Sequence, residues 1–317
     1  MSKVRDHGGG LDGAIAAYGG DRDSWIDLST GINPLPYPIP DIPARYWTDL
    51  PDADAQNRLI DAARRFWQVP DGVGILPTAG VSQLIAALPR VMPAGAVRID
   101  APTYNEHAAA FRHAGWRSDP NANARVIVHP NNPDGVMHTP SLDEVNAHDL
   151  FIIDESFCDT CPEHTLMSYA AHEGVIVLKG LGKFWGLAGL RLGFAMAHPA
   201  MIEQLSEMIG PWAVSGPAQL VGASALSDLV WAKQTRKRLA QDAPRLDQMM
   251  IDAGNSVIGG TNLFRLYQTP DATRTNRYLA QNRIWSRCFP YSKTWVRLGI
   301  PGQDQDWQRL SNALDIS

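Results

Sequence analysis

Cysteine is scarce in this chain, with three in 317 residues. So few thiols, and an odd number of them, exclude a disulfide scaffold and fit a reducing compartment. No run of 18 uninterrupted apolar residues occurs, so no spanning helix is expected. The opening residues MSKVRDHGGG are too polar and glycine-rich for a secretion signal. A cationic excess is missing as well, since 28 basic residues stand against 33 acidic ones for a formal charge of −5. That balance lacks the overall positive field of a general nucleic-acid binder. Neither an internal repeat nor a low-complexity block stands out. The expectation is a soluble cytoplasmic protein with no membrane and no nucleic-acid partner.

What is present is an apolar content of 44%, enough to fill one large core or two modest ones. Glycine and proline concentrate in the first fifty residues. From Ala62 onward, short apolar and β-branched runs at 96–100, 125–129, 150–154, 175–178 and 192–197 alternate with helical stretches. Such runs read as strands of a mostly parallel sheet buried on both faces, an α/β domain. Between Ser215 and Gly254, alanines, leucines and charges predict one or two long helices, with prolines only at Pro217 and Pro244. Strands are then expected at 256–267, 283–288 and 294–300 around a helix near 273–281, a smaller α+β domain on which the N-terminal segment packs. The resulting plan has an arm and part of the small domain at 1–50, a large α/β domain at 51–210, and a linking helix with the small domain at 211–317.

The segment Val177–Gly193, VLKGLGKFWGLAGLRLG, carries the most chemistry. A strand runs into a glycine-punctuated turn bearing Lys183, with Arg191 eight residues on. A lysine presented on such a turn, once desolvated or set beside other cations, becomes a neutral amine that attacks an aldehyde. Upstream, LFIIDESF reads as a buried strand ending in Asp154 and Glu155. An aspartate at the carboxyl end of a parallel strand lies where α/β sheets bind ligands and suits a protonated ring nitrogen, although it equally suits a helix cap. HPNNPDG turns the chain at Pro133 and Gly135 and offers the Asn132 amide at the same sheet edge. At Gly80, Val81 and Ser82 a helix start exposes backbone N–H groups to an anion, and Tyr104 of APTYN follows a strand where it can lie against a planar ring.

Taken in this order and over nearly the whole chain, these segments resemble the fold-type I pyridoxal-phosphate (PLP) enzymes of the aspartate aminotransferase superfamily. The resemblance implies the PLP-dependent transferase fold, with a mostly parallel sheet in the large domain and a smaller α+β domain. It also implies a homodimer and pyridoxal 5'-phosphate as cofactor. Lys183 would bond the cofactor aldehyde, Asp154 would keep the ring nitrogen protonated, Asn132 would bond the ring hydroxyl and Tyr104 would stack on the ring. Arg191 and the N–H groups of Gly80, Val81 and Ser82 would hold the phosphate.

Within the superfamily the chain is most similar to the branch of histidinol-phosphate aminotransferases and threonine-phosphate decarboxylases. The segments His7-Gly8-Gly9-Gly10, DLSTGINP at 27–34, GKFWGLAGLRLGF and Asp154–Phe157 resemble the decarboxylases of cobalamin synthesis. The segment RCFPYSKTWVRLGIPG at 287–302 resembles the branch's two-arginine signature. By that resemblance a phosphorylated amino acid, L-threonine O-3-phosphate, would lose CO₂. Arg287 would meet its phosphate and Arg297 its α-carboxylate as bidentate donors. His7 and Gly8 would close over the substrate beside Asn132. The alternatives are transamination of histidinol phosphate or a related amino acid, and a catalytically silent binding protein.

Departures from the family stand at Gly180, where a serine or threonine usually binds phosphate, at Leu50, where a tyrosine often reaches the neighbouring subunit, and at Phe157, which lacks a hydroxyl. Weaker cofactor binding, or compensation by Lys179 and Ser82, is the expected consequence. No metal is expected at Cys158, Cys161 and His164, because no second ligand pair accompanies them. The basic run KQTRKR at 233–238 reads as a solvated helix face.

Overall fold

The five apolar runs become strands. In the computed structural model, which describes residues 7–314, the chain divides into two units. The larger comprises 36–132 and 136–234. Its seven-stranded sheet runs in the order Gly74–Thr78, Gly193–Ala197, Val175–Gly180, Leu150–Asp154, Ala124–Val128, Ala96–Ile99, Arg117–Ser118. From Val175–Gly180 to Arg117–Ser118 the pairing is parallel.

This sheet departs from expectation in strand direction and at its edges. The Gly193–Ala197 strand is antiparallel to both neighbours, because the chain returns through the 181–192 turn without the long crossover that a parallel neighbour needs. Gly74–Thr78 is an edge strand not anticipated from the sequence. Its Pro77 cannot donate to a ladder, and that is tolerated only at an edge or a bulge. One face of the sheet buries Ile152, Ile176, Leu178 and Ala195 against Leu84, Ile85 and Leu88, each large side chain contributing roughly 1.5–3 kcal/mol by leaving water. With so much apolar surface committed, the carboxyl ends of the strands are held firmly.

The smaller unit comprises 7–35, 133–135 and 235–314. Its four-stranded antiparallel sheet has the order Arg287–Cys288, Trp295–Gly299, Phe264–Gln268, Ser256–Thr261. The stretch 256–267, read as one strand, is a hairpin that turns at Asn262-Leu263 and pairs Thr261 with Phe264. The N-terminal segment joins this unit: Ile26–Asp27 pairs in parallel with Ile284–Trp285, and Leu11, Ala14 and Trp25 bury against Ala280.

The helix Leu229–Asp252, with Pro244 inside it, carries the chain from one unit into the other. Its basic run is not wholly solvated. Lys233 and Lys237 are exposed, but the Arg238 guanidinium donates to Asn33 Oδ1 at 2.5 Å and to Asp242 at 3.1 Å. Among the described residues no helix is long and apolar enough to cross a membrane.

Candidate active site

The 181–192 turn is fastened at both ends. Leu181 N–H donates to Leu192 C=O at 3.1 Å, Leu187 N–H to Leu181 C=O at 3.1 Å, and Gly186 N–H to Lys183 C=O at 3.1 Å. Lys183 is thereby held half-buried on the wall of a cavity, its Nζ 5.6 Å from the centre of the Phe157 ring. The same cavity is lined by Gly80, Val81, Ser82, Tyr104, Asn132, Asp154 and Arg191.

Each of these is placed by its own local device. Gly80, at φ +85°, turns the chain into the helix Val81–Ala87, and a side chain there would strike the Arg191 guanidinium, 2.6 Å from an added Cβ. Ala79 N–H donates to Gln83 Oε1 at 2.9 Å, which ties off the helix start. Thr103 Oγ1 donates to Asn131 Oδ1 at 2.6 Å and Asn131 Nδ2 to Pro102 C=O at 3.0 Å. Those bonds hold the Tyr104 and Asn132 segments side by side.

Asp154 ends its strand almost fully buried. Its Oδ2 lies 2.9 Å from His107 Nε2, and its Oδ1 accepts from Ser156 N–H at 3.0 Å and Oγ at 2.5 Å. Burial alone would raise this carboxyl, but the bond and charge of His107 and the two Ser156 bonds hold it below the ordinary aspartate range. A carboxylate accepts about four hydrogen bonds, so capacity remains for a ligand's N–H. His107 and Ser156 escaped the sequence reading. His107 sits three residues after Tyr104, a helical spacing that would have flagged it.

The missing hydroxyl at position 180 has a packing reason. A Cβ on Gly180 would stand 2.9 Å from Val81 Cγ2, so Val81 occupies that room. Lys179 does not compensate for it. Its side chain is fully buried behind the cavity, with Nζ 2.6 Å from Glu155 and 3.5 Å from Asp159. Burial would lower this lysine, but the two carboxylates outweigh that and push it up. Asp159 further accepts from the indoles of Trp67 at 2.8 Å and Trp185 at 3.1 Å.

His129, Glu155 and Cys158 bring one potential metal donor each within 4.8 Å. All are otherwise engaged. His129 Nδ1 accepts from His138 N–H at 3.0 Å, which leaves Nε2 to donate to His164 C=O at 2.7 Å. Glu155 accepts from Thr165, Leu166 and Lys179. Cys161 and His164 do not join this group.

His7, Gly8, Arg287 and Arg297 lie in the smaller unit. His7 is exposed. Gly8 leaves no space for a side chain, since an added Cβ would meet Ser29 C=O at 2.4 Å and Arg297 Nη2 at 3.4 Å. Arg297 is 5% exposed, donates to Ser29 C=O at 2.6 Å and stacks 4.9 Å from the Phe264 ring centre. Directly across the ladder stands Arg287. Burial and the facing Arg287 charge push the Arg297 guanidinium down to about 9, still protonated at neutral pH. Like charges set opposite one another in a sheet repel, and an anion bound there would relieve them.

The cavity set is an amine, an ionised carboxylate, a guanidinium, the helix start at Val81 and Ser82, an amide and an aromatic face. It suits a small anionic ligand with an electrophilic carbonyl and a basic ring nitrogen. A family model described as aminotransferase class I and II matches residues 116–314. The chain is 37% identical to a threonine-phosphate decarboxylase of Sinorhizobium sp, covering 99% of this chain and 98% of that one. It is 36% identical to a threonine-phosphate decarboxylase of Pseudomonas aeruginosa, covering 98% and 97%. Among solved structures, a histidinol-phosphate aminotransferase from Sinorhizobium meliloti in complex with pyridoxal-5'-phosphate superposes with a TM-score of 0.79 at 18% identity, covering 99% and 94%. That last likeness is one of fold.

Proposed function

Since the chain belongs to the class I and II aminotransferase family, we propose that it is a PLP-dependent lyase that decarboxylates L-threonine O-3-phosphate to (R)-1-amino-2-propanol phosphate. The observation that carries this reading is the meeting of Lys183 and Asp154 in one cavity that Gly80 and Arg191 also line. The choice of substrate follows the two decarboxylases that match along their full length.

The residues suit the cofactor. Arg191 and the N–H groups of Val81 and Ser82 would hold its phosphate, Asn132 its ring hydroxyl, and Tyr104 its ring face; the Gly80 N–H, expected to join them, instead donates to Thr78 C=O at 2.7 Å. The Lys183 amine would tether its aldehyde. When bound, pyridoxal phosphate supplies a conjugated ring that draws off the electron pair left when a bond to the substrate Cα breaks.

This chain's own groups do the rest. Asp154 keeps its negative charge next to His107 and would so hold a proton on the ring nitrogen. The Lys183 amine would return a proton to the substrate Cα after CO₂ leaves. Arg297 would bind the α-carboxylate and Arg287 the phosphate, and Gly8 would let the N-terminal segment pass close to both, with His7 as a further donor to the phosphate. These fixed contacts would decide which Cα bond is aligned for cleavage. The protein is further proposed to act in the cytoplasm as a homodimer. Exposed Trp47, Leu50 and Trp212 in the larger unit supply apolar surface for a second copy, and sedimentation would measure the state directly.

Purified protein supplied with pyridoxal phosphate and threonine phosphate should release CO₂ without any 2-oxoglutarate. A strict need for a keto acid would establish transamination instead. Borohydride reduction followed by peptide mapping should leave the pyridoxyl group on Lys183, and an unlabelled, colourless protein would identify a silent binding module.

A further inference from the structure

One motif is left unused by the proposed chemistry. Cys158-Asp159-Thr160-Cys161 forms a single 3₁₀ turn just beyond the Asp154 strand, closed by Cys161 N–H to Cys158 C=O at 2.9 Å. Cysteines spaced in this way in an α/β protein from a reducing compartment read as a redox pair. None of the three cysteines is in a disulfide. Cys158 Sγ lies 3.7 Å from Cys161 C=O, and Thr160 Oγ1 lies 3.8 Å from Cys161 Sγ. Their exposures are unequal: Cys158 is fully buried and Cys161 is partly open to solvent. Their acidities divide the same way. The neighbouring Cys158 lowers the Cys161 thiol, while the neighbouring Cys161 and burial raise Cys158. An accessible nucleophile thus stands beside a buried resolving thiol.

One of the two residues between them, Asp159, joins this turn to the cavity. Asp159 accepts from Trp185 Nε1 at 3.1 Å, two residues beyond Lys183, and from Trp67 Nε1 at 2.8 Å. Phe157, one residue before Cys158, lines the cavity opposite the Lys183 amine. Any change of the 158–161 backbone is therefore felt on the Lys183 turn.

We propose that Cys158 and Cys161 form a redox-active dithiol that a peroxide closes to an intramolecular disulfide, and that closure weakens the hold of Asp159 on the Lys183 turn. The Cys161 sulfur attacks one peroxide oxygen and the O–O bond breaks. The departing hydroxide takes up the thiol proton as water, leaving a sulfenic acid. The Cys158 sulfur then attacks that sulfur, the S–O bond breaks, and a second water leaves with the Cys158 proton. Two electrons pass from the two thiols to the peroxide. A reducing thiol reverses the change.

The test uses the full chain carrying Cys288→Ser. Hydrogen peroxide should remove both remaining thiols and the mass of two hydrogen atoms, and a peptide spanning the 158–161 disulfide should be recovered. Dithiothreitol should restore the thiols. Backbone amide exchange over 181–187 should quicken by roughly tenfold in the oxidised form. With Cys158→Ser, a trappable sulfenic acid should appear on Cys161; with Cys161→Ser, neither disulfide nor faster exchange should appear. Intact thiols after peroxide, oxidation of Cys161 without a bond to Cys158, or a disulfide with unchanged exchange at 181–187 would each overturn the proposal. None of these measurements needs cofactor or substrate, so they stand apart from the decarboxylase reading, under which oxidation should also slow CO₂ release by about 10- to 100-fold.

Discussion

Two neighbouring regions of the larger unit use the same residue types for opposite ends. On one side Asp154 and Lys183 line an open cavity; on the other, Glu155 and Lys179 close on each other at 2.6 Å with Asp159 beside them. The acids are adjacent in sequence and the lysines four apart. Successive residues along an extended strand point to opposite faces, so one carboxylate reaches the ligand side and the next reaches the interior. The lesson is that lysine and carboxylate become reactive or structural according to where the fold leaves capacity. Lys179 is held by two buried carboxylates, whereas Lys183 rides on a glycine turn at the edge of a space.

The comparison can be broken most severely at the lysines. Replacing Lys183 with Ala should lower turnover by at least about 10²–10⁴-fold and abolish borohydride labelling, with stability changed by no more than about 0.5 kcal/mol. Steady-state rates and a thermal melt check both halves. Lys179→Met should do the converse. It strands Glu155 and Asp159 as buried charges and should cost roughly 3–5 kcal/mol in denaturant unfolding, and adding Glu155→Gln and Asp159→Asn should recover much of the loss.

The arginine pair extends the same contrast to the smaller unit, where two cations face each other across the ladder. Arg297→Ala should weaken substrate binding by about 2–5 kcal/mol, read as a raised KM. Arg297→Lys should recover little of it, because an ammonium lacks the two-pronged donor geometry. A variant with wild-type KM would remove Arg297 from the substrate site.

The smallest expected effect concerns His107. Asp154 titrates below its ordinary value of 3.8 in the folded protein, so it stabilises the fold fully above that pH and loses its contribution as pH falls through the lower folded value. His107→Gln should reduce this stabilisation by roughly 1–3 kcal/mol at neutral pH and should shift acid unfolding toward higher pH. Unfolding curves taken between pH 7 and pH 2 would reveal it. An unchanged acid limb would mean that Ser156 alone sets the Asp154 carboxylate.

Much of the cavity was legible in the residues. The strand LFIID, the glycine-rich turn around Lys183 and the glycine at 80 are local signals, since burial periodicity and turn chemistry act over a few residues. His107 and Ser156 were not legible, because what marks them is a bond to Asp154 that forms only on folding. Of the two consequences expected from Gly180, weaker cofactor binding or compensation by Lys179 and Ser82, the part given to Lys179 falls away, because nearness to Lys183 along the chain does not reveal that its side chain points into the core. The reversed direction of Gly193–Ala197 was hidden for a similar reason. Strand polarity depends on how the intervening turn closes, and a short apolar run carries no sign of it.

The sequence by itself determined which segments are buried strands, where glycine must stand for the backbone to turn or approach closely, and which residue types are available for chemistry. These are short-range consequences of side-chain size, polarity and backbone freedom. Only the tertiary structure decided which carboxylate meets which cation, that Val81 fills the room left at Gly180, and that Arg287 and Arg297 oppose each other, because each of those pairings joins residues distant along the chain and exists only once the core has packed.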